Sequence, residues 1–171
     1  MKILNVGCGN ETYGTDFVDV YPLRKEVIKC NVNEENLPYA DETFDLVYSK
    51  NLLEHLSNPL HFFLEMKRVL KKNGTIYLLT DNAAFLLFHI NLRKNNYLQH
   101  NSNTPRVGDK DRHYFLFTPL HLKNFLDTAG GFNDIKTMYE YSSTHKTAIF
   151  LSKILISRVF KPHIVLTASK K

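Results

Sequence analysis

A pair of glycines close behind an apolar run constrains this chain more than any other feature. Ile3–Val6 meets Gly7-Cys8-Gly9, a pattern that predicts a buried parallel strand entering a tight loop, because glycine accepts positive φ and lets a ligand approach the backbone. Residues 16–20, 27–30 and 44–48 supply three further short strands, and residues 75–80, after the Asn73-Gly74 break, supply a fifth. Between the last two, Asn58-Pro59 opens a helix with Leu60, Phe63, Leu64 and Leu70 at helical spacing, and Lys71 and Lys72 suit the dipole at its end. A second helix opens at Thr118-Pro119, carries Leu122, Phe125, Leu126 and Ala129 on one face, and stops at Gly130-Gly131. Residues 132–141 and 163–169 read as the last two strands. Strands alternating with helices predict a mostly parallel α/β sheet whose ligands sit beyond the carboxyl ends of the strands. Residues 7–15 are too few for a full crossover, so the first helix is expected to be short or absent.

The 171 residues fit one domain spanning the whole chain. The formal charge of +5 is compatible with an anionic substrate, a nucleic acid or a negatively charged membrane surface, and equally with solubility alone. Cys8 and Cys30 are too few for a disulfide scaffold or a thiolate metal site, so no metal is expected and a reducing cytoplasm is the natural compartment. No N-terminal signal is visible, since Asn5 and Gly7 interrupt the apolar run after Lys2. A polar loop over residues 100–111 is a candidate lid. Residues 143–160 read as an inserted helix, strongly apolar with Lys146, Lys153 and Arg158. Its apolar surface wraps more than half the circumference, which favours packing in the core or a homodimer over peripheral membrane contact. Residues 83–92 add a further apolar segment.

Asp19 ends the second strand, where a carboxylate either is a solvated loop group or accepts hydrogen bonds from both hydroxyls of a ribose; its pairing with the glycine turn favours the ribose. A dinucleotide fingerprint would need glycine or alanine where Thr12 stands, which argues against NAD. The stretch Leu37-Pro38-Tyr39-Ala40-Asp41-Glu42-Thr43-Phe44-Asp45, then Leu53-Glu54-His55, then Glu65-Met66-Lys67-Arg68-Val69-Leu70-Lys71-Lys72-Asn73-Gly74, follows the glycine turn in order. In this ordered set the chain closely resembles the type 11 methyltransferases of the S-adenosylmethionine-dependent class I, strongly over residues 2–81 and more loosely over 115–134. The glycine turn and shortened link look most like a subgroup associated with cell-surface glycan modification. The resemblance implies a Rossmann-like sheet with an antiparallel last strand and S-adenosylmethionine as cofactor. Carried over residue by residue, Gly7 and Gly9 would border the methionine part and Asp19 would hold the ribose. Asn31 and the Val32 amide would meet the adenine, and Ser49 and Asn51, taken to follow the fourth strand, would lie near the methionine amine and the methyl group. Asn5 and Glu11 depart from the family's frequent aspartate and third glycine. The family's helices ahead of strand one, which close over the cofactor, are not seen before Met1.

Methyl transfer needs mainly alignment of a nucleophile with a reactive sulfonium. A hydroxyl acceptor would gain from a base, and among His55, His113 and His121 the candidate is His113, beside Arg112 and Tyr114. His55 is expected to cap or orient the helix after strand four, and His121 to sit on an exposed helical face. The mixed charges of residues 109–112 are read as a solvated loop, and Tyr13 as a surface residue that could cover the cofactor. The expected acceptor is a small molecule, a glycan or a lipid-linked molecule. Two other readings compete: a binding or regulatory module on the same fold without transfer, which Asn5, Glu11 and the missing helix support, and a nucleic-acid methyltransferase. The latter is disfavoured because Ser49-Lys50-Asn51-Leu52 stands where amino-methylating enzymes carry Asp/Asn-Pro-Pro-Tyr or Phe, and because no separate basic domain is evident.

Overall fold

The structure is a computed structural model that describes residues 1–85, 113–140 and 158–171. The lid loop at 100–111, residues 86–92 of the apolar segment, the charge run at 109–112 and residues 143–157 of the expected insertion lie outside the described residues.

Seven strands form one sheet: β1 (Ile3–Val6), β2 (Asp16–Asp19), β3 (Val27–Lys29), β4 (Phe44–Lys50), β5 (Leu70–Asp81), β6 (Phe132–Glu140) and β7 (His163–Lys170), in the order β3-β2-β1-β4-β5-β7-β6. The first five run parallel, with Leu4 opposite Val47 and Val6 opposite Ser49, while β7 is antiparallel to both β5 and β6. This is the Rossmann-like sheet with an antiparallel last strand that the resemblance implied.

Two helices are described, α1 (Pro59–Val69) and α2 (Pro119–Ala129). Each starts on a side-chain cap: Asn58 accepts from the His61 amide and Thr118 from the His121 amide, with proline at the first helical position. Their apolar faces cover one side of the sheet. Phe62, Phe63 and Met66 of α1 and Leu122 and Leu126 of α2 join Leu4, Val6, Val18, Val47, Ile76, Leu78, Ile164 and Leu166 in one core, and Phe63 stacks on Phe125 at 5.5 Å. Each such side chain contributes about 1.5–3 kcal/mol through burial. No helix among the described residues is long and apolar enough to cross a membrane.

The link between β1 and β2 carries no helix. Hydrogen bonds to the first strand hold it instead. Asn5 Nδ2 donates to the Tyr13 carbonyl at 2.9 Å, and Thr15 Oγ1 accepts from the Ile3 amide and donates to its carbonyl. Gly7 and Gly9 both take left-handed φ, at 69° and 50°.

Where α1 ends, the expectation fails. Lys71 and Lys72 do not extend the helix; the chain turns extended at Leu70, which pairs with Phe44, and the ladder resumes only at Leu46 with Thr75. The Asn73-Gly74 break is therefore a bulge inside β5. Asn73 sits at φ 63°, and a Cβ on Gly74 would come within 2.8 Å of the Lys71 carbonyl oxygen, so the bulge demands glycine there. Lys71 pairs with Asp45 at 2.8 Å rather than with a helix end. Strand β4 also outruns its expected end and takes in Ser49 and Lys50.

A polar clamp fastens α1 to the loop entering β4. The Glu65 carboxylate accepts from the Leu37 amide at 2.7 Å and from two guanidinium nitrogens of Arg68, and Arg68 also donates to the Leu37 and Tyr39 carbonyls and to Asp41. Burial pushes the Glu65 carboxyl up, but the Arg68 guanidinium and the Leu37 amide outweigh it and hold it below its ordinary value. That contribution is complete above the unfolded carboxylate range and disappears as pH falls through the lowered folded value. Arg68→Ala should destabilise the protein by about 2–4 kcal/mol at pH 7, since it strands a buried carboxylate. Urea unfolding at pH 7 and again in acid should show the gap to the parent narrowing as Glu65 protonates.

Candidate functional site

Beyond the carboxyl ends of β1 to β4 lies a cavity of about 560 Å³, lined among others by Gly7, Gly9, Asp19, Asn31, Val32, Asn51, His55 and Tyr114. Its size suits a small organic ligand. Six of the seven residues expected at the cofactor therefore come together around one cavity. Ser49 does not: it lies within β4, buried, and its hydroxyl donates to the Val6 carbonyl at 2.9 Å, bracing two neighbouring strands. The longer strand is the reason, and Asn51 takes the place beyond its end with φ 48°.

Each wall has a local cause. Asp19 ends β2, and its two carboxylate oxygens accept from the amides of Gly9 and Tyr21, both at 2.8 Å. One bond to each oxygen leaves acceptor capacity for further donors. A Cβ on Gly7 would press on Leu52 at 2.9 Å, whereas one on Gly9 would meet nothing within 4 Å. Gly7 thus answers to packing and Gly9 borders open cavity. The turn after β3 is shaped by Asn31, whose side chain accepts from the Asn33 amide, and by Asn33, whose side chain in turn accepts from Ser57 and Asn58. That second bridge ties the turn after β3 to the start of α1, and nothing in the residue pattern singled Asn33 out. The Val32 amide donates to no described residue. A carboxylate with spare acceptor capacity, a glycine facing open space and a free amide fit a ribose and an adenine. Burial pushes the thiols of Cys8 and Cys30 up to about 11, which removes them as nucleophiles at neutral pH. Among the described residues no His, Cys, Asp and Glu group is arranged to hold a metal.

Beside this wall sits a buried ionisable cluster. Glu54, in the 3-10 turn Leu53–His55, is 1% exposed and accepts from the Thr80 hydroxyl at 2.7 Å. Asp81 ends β5 and meets His113 Nδ1 at 2.9 Å and His163 Nε2 at 3.8 Å. The His113 ring stands edge-on to His55 at 4.5 Å, and the Tyr114 amide donates to the Glu54 carbonyl. His113 is thus brought to the site's edge, but it is His55 and Tyr114, its neighbours, that line the cavity. His55, expected to cap or orient the helix after strand four, lines the cavity, and His121 is exposed on α2 as expected. Sequence reasoning passed over Glu54, Asp81 and His163, which lie far apart in the chain; the signal available was Glu54 directly after strand four and Asp81 at the end of strand five. Tyr13 packs on Tyr48 at 4.7 Å and is not among the residues lining the cavity.

Residues 19–78 match the family model described as a methyltransferase domain, and the seven-stranded sheet has the fold of solved S-adenosylmethionine-dependent methyltransferases. Among individual proteins, a SAM-dependent methyltransferase from Thermotoga maritima superposes with a TM-score of 0.67 at 16% identity, over 99% of this chain and 82% of that one. An uncharacterised methyltransferase of Schizosaccharomyces pombe is 30% identical over 105 residues, which is 44% of this chain and 38% of the relative. A tRNA U34 carboxymethyltransferase of Photobacterium profundum is 25% identical over 171 residues, 84% of this chain and 48% of the relative, so likeness extends past the matched segment. The chain spans less than half the length of these two relatives.

Burial first, and the Asp81 charge second, push the Glu54 carboxyl up to about 7. A carboxyl raised in the folded state stabilises most below its unfolded value, and that stability is lost as pH rises through about 7. Glu54→Gln keeps an acceptor for Thr80 and removes the titration. Between pH 5 and pH 8 its unfolding free energy should fall by about 1–3 kcal/mol less than the parent's; parallel curves in urea titrations at the two pH values would refute the assignment.

Proposed function

We propose that this chain binds S-adenosylmethionine in the cavity beyond β1 to β4 and transfers its methyl group to a small-molecule, glycan or lipid-linked acceptor. The observation that carries the reading is Asp19 at the end of β2, facing a cavity that Gly9 leaves open, inside the segment matching a methyltransferase domain. Asp19 would accept from the ribose hydroxyls through its remaining lone pairs. The Val32 amide and the Asn31 side chain would meet the adenine, and Gly7, Gly9 and Asn51 would border the methionine part. When bound, the cofactor supplies an electrophilic methyl carbon on a positively charged sulfur, so the chain's own task is to hold it, align an acceptor and exclude water.

Calorimetry with S-adenosylmethionine and S-adenosylhomocysteine tests the reading, and binding of neither would sink it. If both bind, formation of S-adenosylhomocysteine in the presence of candidate acceptors separates a transferase from a module that only binds. Asp19→Ala should weaken S-adenosylhomocysteine binding more than tenfold, because hydrogen bonds to a carboxylate contribute roughly 1.5–3 kcal/mol each. A thermal melt of the same variant separates lost ligand contacts from a loosened Gly9 turn, and unchanged affinity in a folded variant would remove Asp19 from the ribose. NAD should bind far more weakly in the same assay, as no helix N-terminus follows β1 to take a pyrophosphate.

A further inference from the structure

Strand β6 ends the sheet order, with β7 on one side and, among the described residues, no strand on the other. Half of its backbone donors and acceptors therefore face outward, a template for adding a further strand. The start of this edge is spoiled for pairing: Asp134 takes φ 49°, and the register with β7 slips between Asn133 and Lys136. From Lys136 to Glu140 the ladder runs unbroken, whereas the opposite edge, β3, offers only three residues. Thr137 and Tyr139 stand opposite the core residues Leu166 and Ile164 and share their face, so Lys136, Met138 and Glu140 share the other. All three are exposed, Met138 to 61%. One Glu140 oxygen accepts from the Tyr77 hydroxyl at 3.4 Å, and among the described residues neither Lys136 nor Glu140 has an ion-pair partner.

We propose that β6 pairs antiparallel with β6 of a second copy of this chain, about a twofold axis at Met138. In an antiparallel pair, directly opposite residues alternate between hydrogen-bonded and non-hydrogen-bonded positions, so a twofold axis must pass through a residue that faces its own copy. Charge then selects that residue. An axis at Lys136 sets lysine against lysine, and one at Glu140 sets glutamate against glutamate. An axis at Thr137 puts Lys136 against Met138, and one at Tyr139 puts Glu140 there, so each leaves a charge unanswered. An axis at Ile135 would use Asp134, where the ladder is already broken. With the axis at Met138, Lys136 faces the Glu140 of the other copy at two symmetric places, Thr137 faces Tyr139 twice, and the exposed methionine covers itself. Opposite charges and β-branched–aromatic pairs at such positions are stabilising. The pattern also names the occupant. Lysine and glutamate equally spaced about an apolar residue answer a reversed copy of themselves, while an unrelated strand leaves the Lys136 charge as the usual guard on an open edge.

Sedimentation equilibrium of the full chain over a range of concentrations tests the pairing, and it needs neither cofactor nor acceptor. The parent should show a reversible monomer–dimer equilibrium. Lys136→Glu and Glu140→Lys should each raise the dimer dissociation constant about tenfold, because each sets like charges opposite one another at both symmetric places. Carrying the two changes together exchanges the charges and should restore the dimer. Met138→Lys, which brings two lysines together on the axis, should weaken it as well. Thermal melts of each variant verify that these exposed substitutions leave the fold intact. A parent that stays monomeric at every concentration overturns the proposal. So does a dimer indifferent to the single charge reversals, or one that the double exchange fails to restore, since either places the contact on another surface or in another register.

Discussion

The junction between α1 and the loop before β4 rests on the guanidinium of Arg68. Five hydrogen bonds leave that one group, to the Glu65 carboxylate, to two loop carbonyls and to Asp41, while Glu65 returns the contact by accepting the Leu37 amide. The loop's own polar backbone would otherwise be buried without partners, since Leu37 and Phe44 on either side of it are core residues. Fixing that loop fixes where β4 begins, and β4 delivers Asn51, Glu54 and His55 to the site. Two of the four sequence blocks that carried the family resemblance, residues 37–45 and 65–74, are the two halves of this clamp.

A second dependence runs through Asp19. No crossover helix lies between β1 and β2, and the link is held instead by the side chains of Asn5, Thr15 and, from the neighbouring strand, Asp19. The carboxylate assigned to the ribose is therefore also a structural tie on Gly9. On the proposed reading, binding and folding would share one residue.

The division of the sheet gives the site its chemistry. The β1–β3 side offers neutral donors and one carboxylate with spare lone pairs, suited to recognition. Across β4, two buried acids, Glu54 and Asp81, lie beside His113 and His163. The cavity bridges the two, bordered by His55 and Tyr114 where they meet.

Much of this was legible in the residues alone. Strand and helix positions followed from apolar runs, prolines and glycine pairs, because those signals are local, and Gly7, Gly9, Asp19, Asn31, Val32 and Asn51 did converge on one cavity. The misjudged places are those where pairing across the sheet overrode local preference. Lys71 and Lys72 read as a helix end until Leu70 paired with Phe44, and Ser49 read as a site residue until β4 ran on to Lys50. Glu54, Asp81, His113 and His163 form a cluster only because strands distant in sequence end side by side. By itself the sequence determined the fold class, the glycine turn and the carboxylate that faces it. Only the tertiary structure decided which acids and histidines lie against one another, since that depends on burial and on distances of a few ångströms that no spacing along the chain encodes.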